Sequence, residues 1–137
     1  MPLVSLEKIS NIYNKRLKNK KILIMGMSYK EDVGDLRSSP SLYFIKNCLN
    51  RGMLVSWHDP YIKDFEVKNT LKLKKLKMPS QFDVILFAVK HKKYSKIIFN
   101  KPLFKNTTIF DANYVLTKRQ LDQIKRNKIK FGSIGRS

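Results

Sequence analysis

A chain of 137 residues, 42% hydrophobic and 11% aromatic, is long enough for one domain with a real core and too apolar to stay disordered. The formal net charge of +19 would let it neutralise phosphates, but 23 of the 29 basic residues are lysines, strewn from Lys8 to Lys130. Such dispersal reads as a solvated surface rather than an arginine-led reader of base edges, and nucleic acid is not the expected partner. The apolar runs are too short to span a membrane, and "MPLVSLEKIS" lacks the apolar core of a secretory signal. A single cysteine, Cys48, excludes an internal disulfide and fits a cytoplasmic setting.

In chain order, Leu6, Ile9, Ile12, Tyr13 and Leu17 form an apolar stripe that predicts a helix over residues 5–18, with Ser5 as its N-cap. "KILIMG" predicts a short buried strand stopped by Gly26. Ser39-Pro40 is a helix start, with a capping hydroxyl followed by proline at the first helical position. The helix carries Leu42, Ile45, Cys48 and Leu49 on one face and meets Gly52 where a left-handed residue ends a helix. "MLVSW" (53–57) predicts the second strand and "HDPY" the turn after it. Residues 62–80 fit neither period.

"QFDVILFAV" (81–89) is apolar on both faces and predicts a central strand. "TTIFDA" (107–112) predicts another, then a helix from about Thr117 to Asn127 bearing Leu121 and Ile124, and "KIKFGSIG" a last strand. Strands alternating with helices imply right-handed crossovers: a three-layer α/β domain, close to a Rossmann half, with a mostly parallel sheet. Ligands of such sheets sit beyond the carboxyl ends of the strands, here the loops at 26–39, 58–64, 90–93 and 111–116.

The first of these loops, "GMSYKEDVGDLRSSPS" (26–41), is not a dinucleotide cradle. Met27, Ser28, Tyr29, Lys30 and Glu31 stand where G-x-G-x-x-G needs glycines, and the acidic residue ending the second strand, Asp59, comes 33 positions after Gly26. No cofactor is therefore expected on this chain. A phosphate can still be met by a lysine acting as a point charge and by helix amides.

The stretch "GMSYKEDVGDLRSSPSLYFIKNCLNRGMLVSWHDPY" resembles the signature of the UDP-glucose/GDP-mannose dehydrogenase family, in its C-terminal UDP-binding domain. The likeness continues through "FDVILFAVKH", "IFDA" and "SIGR", over residues 20 to 136. It implies that residues 1–19 are a helix connecting to upstream domains and that residues 20–137 bind a UDP-sugar. It implies partners too, an NAD-binding domain and a central dimerising region. The isolated domain would be a monomer, and the complete enzyme a dimer. That enzyme uses NAD and a catalytic cysteine to oxidise a nucleotide sugar toward uronic acids for surface polysaccharide. Cys48, on an apolar helix face, is expected to be core filler and not that thiol.

By the same resemblance Lys30, with Tyr29 beside it, contacts the nucleotide sugar. Asp35 and Arg37 reach the substrate or pin the loop as an ion pair, and Asp59 lines the pocket or shapes the Asp-Pro turn. His91 ends its strand as a neutral, hydrogen-bonded residue. Where the family often has arginine on the diphosphate, this chain has Asn113, between Ala112 and Tyr114, with Lys118 and Arg119 as substitutes from the next helix. Two other readings remain: a basic nucleic-acid-associated domain on a Rossmann-like scaffold, and a stand-alone nucleotide sensor or partner subunit.

Overall fold

The structure, a computed structural model, describes residues 2–28, 39–63, 65–74 and 81–134. Six strands form one sheet: β1 (Lys21–Met25), β2 (Leu54–His58), β3 (Leu71–Lys72), β4 (Val84–Phe87), β5 (Thr108–Asp111) and β6 (Phe131–Ser133). Their order is β3-β2-β1-β4-β5-β6 and every pairing is parallel. That order is the complete doubly wound arrangement, more than the half expected. The extra edge strand, β3, comes from the segment whose period was ambiguous. Two residues at a sheet edge are too few to print an alternation.

Alternate residues of the strands feed two cores. Ile22, Ile24, Val55, Trp57, Val84 and Leu86 pack on one face with Leu6 and Ile9 of α1 (Pro2–Ile12) and Phe44, Ile45 and Cys48 of α2 (Pro40–Asn50). Leu23, Met25, Ile85, Phe87 and Ile109 pack on the other. There they meet Tyr94 of a 3-10 helix (Lys92–Lys96), Phe104 of α3 (Lys101–Phe104) and Ile124 of α4 (Lys118–Arg126). These are the three layers. The central strands β1 and β4 are buried on both sides, which is why their sequences read as unbroken apolar runs.

Two helix starts match their sequence signals. Ser39 caps α2 by accepting from Ser41 N at 3.1 Å, with Pro40 next. Thr117 and Gln120 form a reciprocal capping box on α4. The first helix differs: it begins at Pro2, so Ser5 is a buried interior residue and not a cap, and it stops at Ile12. Asn14 and Lys15 take φ of 54° and 63°, turning the chain before residue 18, so Ile12 is exposed and Leu17 reaches the core from a loop. Asparagine tolerates that left-handed conformation better than most residues, a stop signal that the apolar stripe overrode in the sequence reading.

Cys48 lies in the first core, where burial pushes its thiol up to about 12. No described helix is long and apolar enough to cross a membrane.

Gly26 is required twice over. Its φ is +107°, and a Cβ there would lie 2.6 Å from Val89 Cβ and 2.8 Å from Val89 N. The end of β1 therefore runs against the backbone that follows β4. Gly26→Ala is expected to cost about 2–4 kcal/mol through left-handed strain plus overpacking, seen in urea melts as a lower midpoint at an unchanged slope.

Candidate functional site

The carboxyl ends of β2, β1 and β4 lie side by side, and a single carboxylate joins them. Asp59, the residue after β2, accepts at Oδ2 from Met27 N (2.8 Å), Ser28 N (2.9 Å) and Ser28 Oγ (2.8 Å) beyond β1. His91 Nε2, beyond β4, bonds the same oxygen at 2.9 Å. Oδ1 accepts from Tyr61 N at 2.8 Å, an Asx turn that shapes the Asp-Pro corner. Asp59 is 4% exposed and His91 1%. Burial alone would raise the Asp59 pKa. The hydrogen bonds from His91, Met27, Tyr61 and Ser28 outweigh it and hold the carboxyl well below the ordinary range.

Around this pair stand aromatic rings. Tyr61 tilts over His91 with ring centres 4.8 Å apart, and Tyr94 lies 5.5 Å from it. His58 Nδ1 bonds Tyr94 Oη at 3.1 Å. Burial lowers the His58 pKa against the opposing pull of Asp59, and burial raises that of Tyr94.

Ser39 Oγ donates to Met27 O at 2.6 Å, and Ser41 Oγ donates to Gly26 O at 2.9 Å. The chain thus reaches Ser28 and resumes at Ser39 from one tightly bonded base. Tyr29, Lys30, Asp35 and Arg37 lie between those points and outside the described residues.

A second carboxylate anchors the neighbouring loop. Asp111, the last residue of β5, is wholly buried and accepts at Oδ1 from Asn113 N (3.2 Å) and Val115 N (2.9 Å). Leu116 N donates to Oδ2 at 3.0 Å. Sequence reasoning did not single out Asp111, although an aspartate ending a strand two residues before a polar turn is an Asx-turn signal. Asn113 is exposed on that loop, its amide 3.4 Å from Ala88 O, and Lys118 and Arg119 open α4 in the open beside it.

Among the proposed contact residues that are described, Asn113 therefore faces solvent at the strand ends, whereas Asp59 lies beneath the surface. Exposed Lys90, Lys92 and Lys93 follow β4 at the same edge. Lys72, in the lysine-rich stretch 72–77, is not a solvated charge. Its ammonium donates to Ile62 O and Lys63 O, both at 2.6 Å, and sits over the Trp57 ring. Among the described residues no group of three or more His, Cys, Asp or Glu is placed to hold a metal.

The model of the UDP-glucose/GDP-mannose dehydrogenase family, UDP binding domain, matches residues 23–118. A UDP-glucose 6-dehydrogenase of Rickettsia bellii is 28% identical over 131 residues, 90% of this chain and 30% of that protein. A UDP-N-acetyl-D-mannosamine dehydrogenase of Methanococcus aeolicus is 36% identical over 106 residues, 72% of this chain and 23% of that one. Among solved structures, an NDP-N-acetyl-D-galactosaminuronic acid dehydrogenase from Methanosarcina mazei Go1 superposes with a TM-score of 0.79 at 21% identity. The superposition covers 99% of this chain and 29% of that one. The chain thus spans under a third of the curated relatives it matches.

The depressed Asp59 pKa makes a signed prediction. The unfolded chain takes up its proton first on acidification, so the stabilisation is complete above the ordinary carboxyl value of about 3.8 and fades below it. Asp59→Asn turns an acceptor into a donor facing other donors and is expected to cost about 2–3 kcal/mol at neutral pH. The variant should also lose less stability than the wild type between pH 5 and pH 3, as followed by urea melts along a pH series.

Proposed function

The chain belongs to the UDP-glucose/GDP-mannose dehydrogenase family as its UDP-binding domain, and from that premise we propose that it holds the UDP part of a nucleotide sugar at the carboxyl edge of the sheet. The observation that carries the reading is the extent of the family match. Residues 23–118 include every loop that leaves the carboxyl ends of β1, β2, β4 and β5. Lys30 is the main cation for the diphosphate, with Tyr29 beside it and Asn113 at the neighbouring loop. Asp35 and Arg37 serve as a loop-pinning pair or as further contacts. Asp59 acts from beneath.

The complete reaction in this proposal is an NAD-dependent oxidation of a UDP-sugar, feeding polysaccharide synthesis in the cytoplasm. The NAD site and the catalytic thiol belong to other domains of the enzyme, and a dimer forms through those domains. This chain binds nucleotide sugar and contributes no catalytic residue. Fold likeness to dehydrogenases supports the setting, and the family match favours this reading over a basic nucleic-acid-associated domain.

Charge-assisted hydrogen bonds contribute about 1.5–3 kcal/mol, so Lys30→Ala should weaken UDP binding about ten- to a hundredfold. Lys74→Ala, at an exposed position of the lysine-rich stretch, should leave it unchanged. Calorimetric titration of UDP into wild type and both variants makes the comparison. Equal losses in the two, or none in Lys30→Ala, would reduce the site to generic charge.

A further inference from the structure

Met27 and Ser28 are the last described residues before the stretch that carries Lys30, and three of their donors converge on Asp59 Oδ2. A carboxylate offers about four acceptor sites over its two oxygens. With His91 added, four donors meet at Oδ2 and a fifth at Oδ1, and the carboxylate is buried, out of a ligand's direct reach. Asp59 and His91 leave the strands that flank β1, and their bond joins across its end. His91 is itself fixed: its backbone N–H donates to Val89 O at 2.9 Å and its ring packs against those of Tyr61 and Tyr94.

We propose that the buried Asp59–His91 pair is a positioning device, which sets nucleotide affinity by fixing the backbone at Met27 and Ser28 and touches no ligand. The proposal rests on the UDP reading above. Asp59 supplies the acceptor, and His91 orients the carboxylate so that Oδ2 faces the two amides. Without His91 the carboxylate can rotate toward Tyr61 and solvent, and the direction in which the chain leaves Ser28 is no longer unique. The Lys30 contact of the UDP reading is then weakened. A group that merely stabilised the fold would lower the melting temperature and leave the affinity of the folded protein alone.

The test titrates UDP into the 137-residue chain and its His91→Ala, His91→Gln, Lys30→Ala and His91→Ala/Lys30→Ala variants. Circular dichroism confirms folding at the working temperature. His91→Ala should weaken binding about tenfold, the scale of one lost hydrogen bond. His91→Gln, whose amide can still donate to Asp59, should return to within about threefold of wild type. In the Lys30→Ala background the same His91→Ala change should cost less than about twofold, because coupled residues are not additive.

If His91→Ala does not fold, His91→Asn, with a shorter reach, replaces it in the same comparison with His91→Gln. Wild-type affinity in a less stable His91→Ala protein overturns the proposal, as does an equal loss in both backgrounds. A wild type that binds no UDP overturns instead the nucleotide-site reading on which the proposal rests.

Discussion

One buried carboxylate holds together the part of the molecule where function is expected. In a parallel sheet all strands end at the same edge, and the chain must leave each end without wasting its polar groups. At β2, β1 and β4 that accounting converges on Asp59, whose oxygens accept from Met27, Ser28, Tyr61 and His91. A charge so far out of water would be expensive if unpaired, and donors from three strand ends compensate it. Removing any one donor leaves the others aimed at a group that can turn.

The rest of the fold exists to hold that edge still. Two cores on opposite faces keep β1 and β4 between helices, so the ends of the central strands cannot drift apart. Gly26 lets β1 pass within contact distance of Val89, which brings Met27 and His91 close enough to share one carboxylate. Asp111 repeats the device at β5, with its side chain collecting the amides of residues 113, 115 and 116. Gln120 adds a third tie: its amide donates to Tyr94 O and Ile97 O and fastens α4 to the segment after β4. Polar side chains buried at strand ends thus act as joints.

The large positive charge has a divided role. Lys72 is consumed by structure, bridging two carbonyls and covering Trp57. Lys90, Lys92 and Lys93 are exposed beside the strand ends, where a diphosphate would benefit from a positive field. Net charge therefore says little about this protein's partner, and the family motif says much more.

Much of the architecture was legible from the chain because its signals are local. The unbroken apolar runs at 22–25 and 84–87 announced central strands, Ser39-Pro40 and Thr117 announced helix starts, and the charged loop with its Asp-Pro and "IFD" partners carried the family likeness. What stayed hidden is non-local. β3 exists because β2 offers it an edge, and α1 ends early because the chain must turn at Asn14 to bring Leu17 into the core. His91 and Asp59, 32 residues apart, are two ordinary polar residues until the strand order places β1 between their strands. The sequence by itself determined the periodicities, the caps and the motif, since each depends on neighbours along the chain. Only the tertiary structure decided that Asp59 is a buried joint and that Asn113 is exposed, because hydrogen-bond partners and burial depend on which strand ends come to lie side by side.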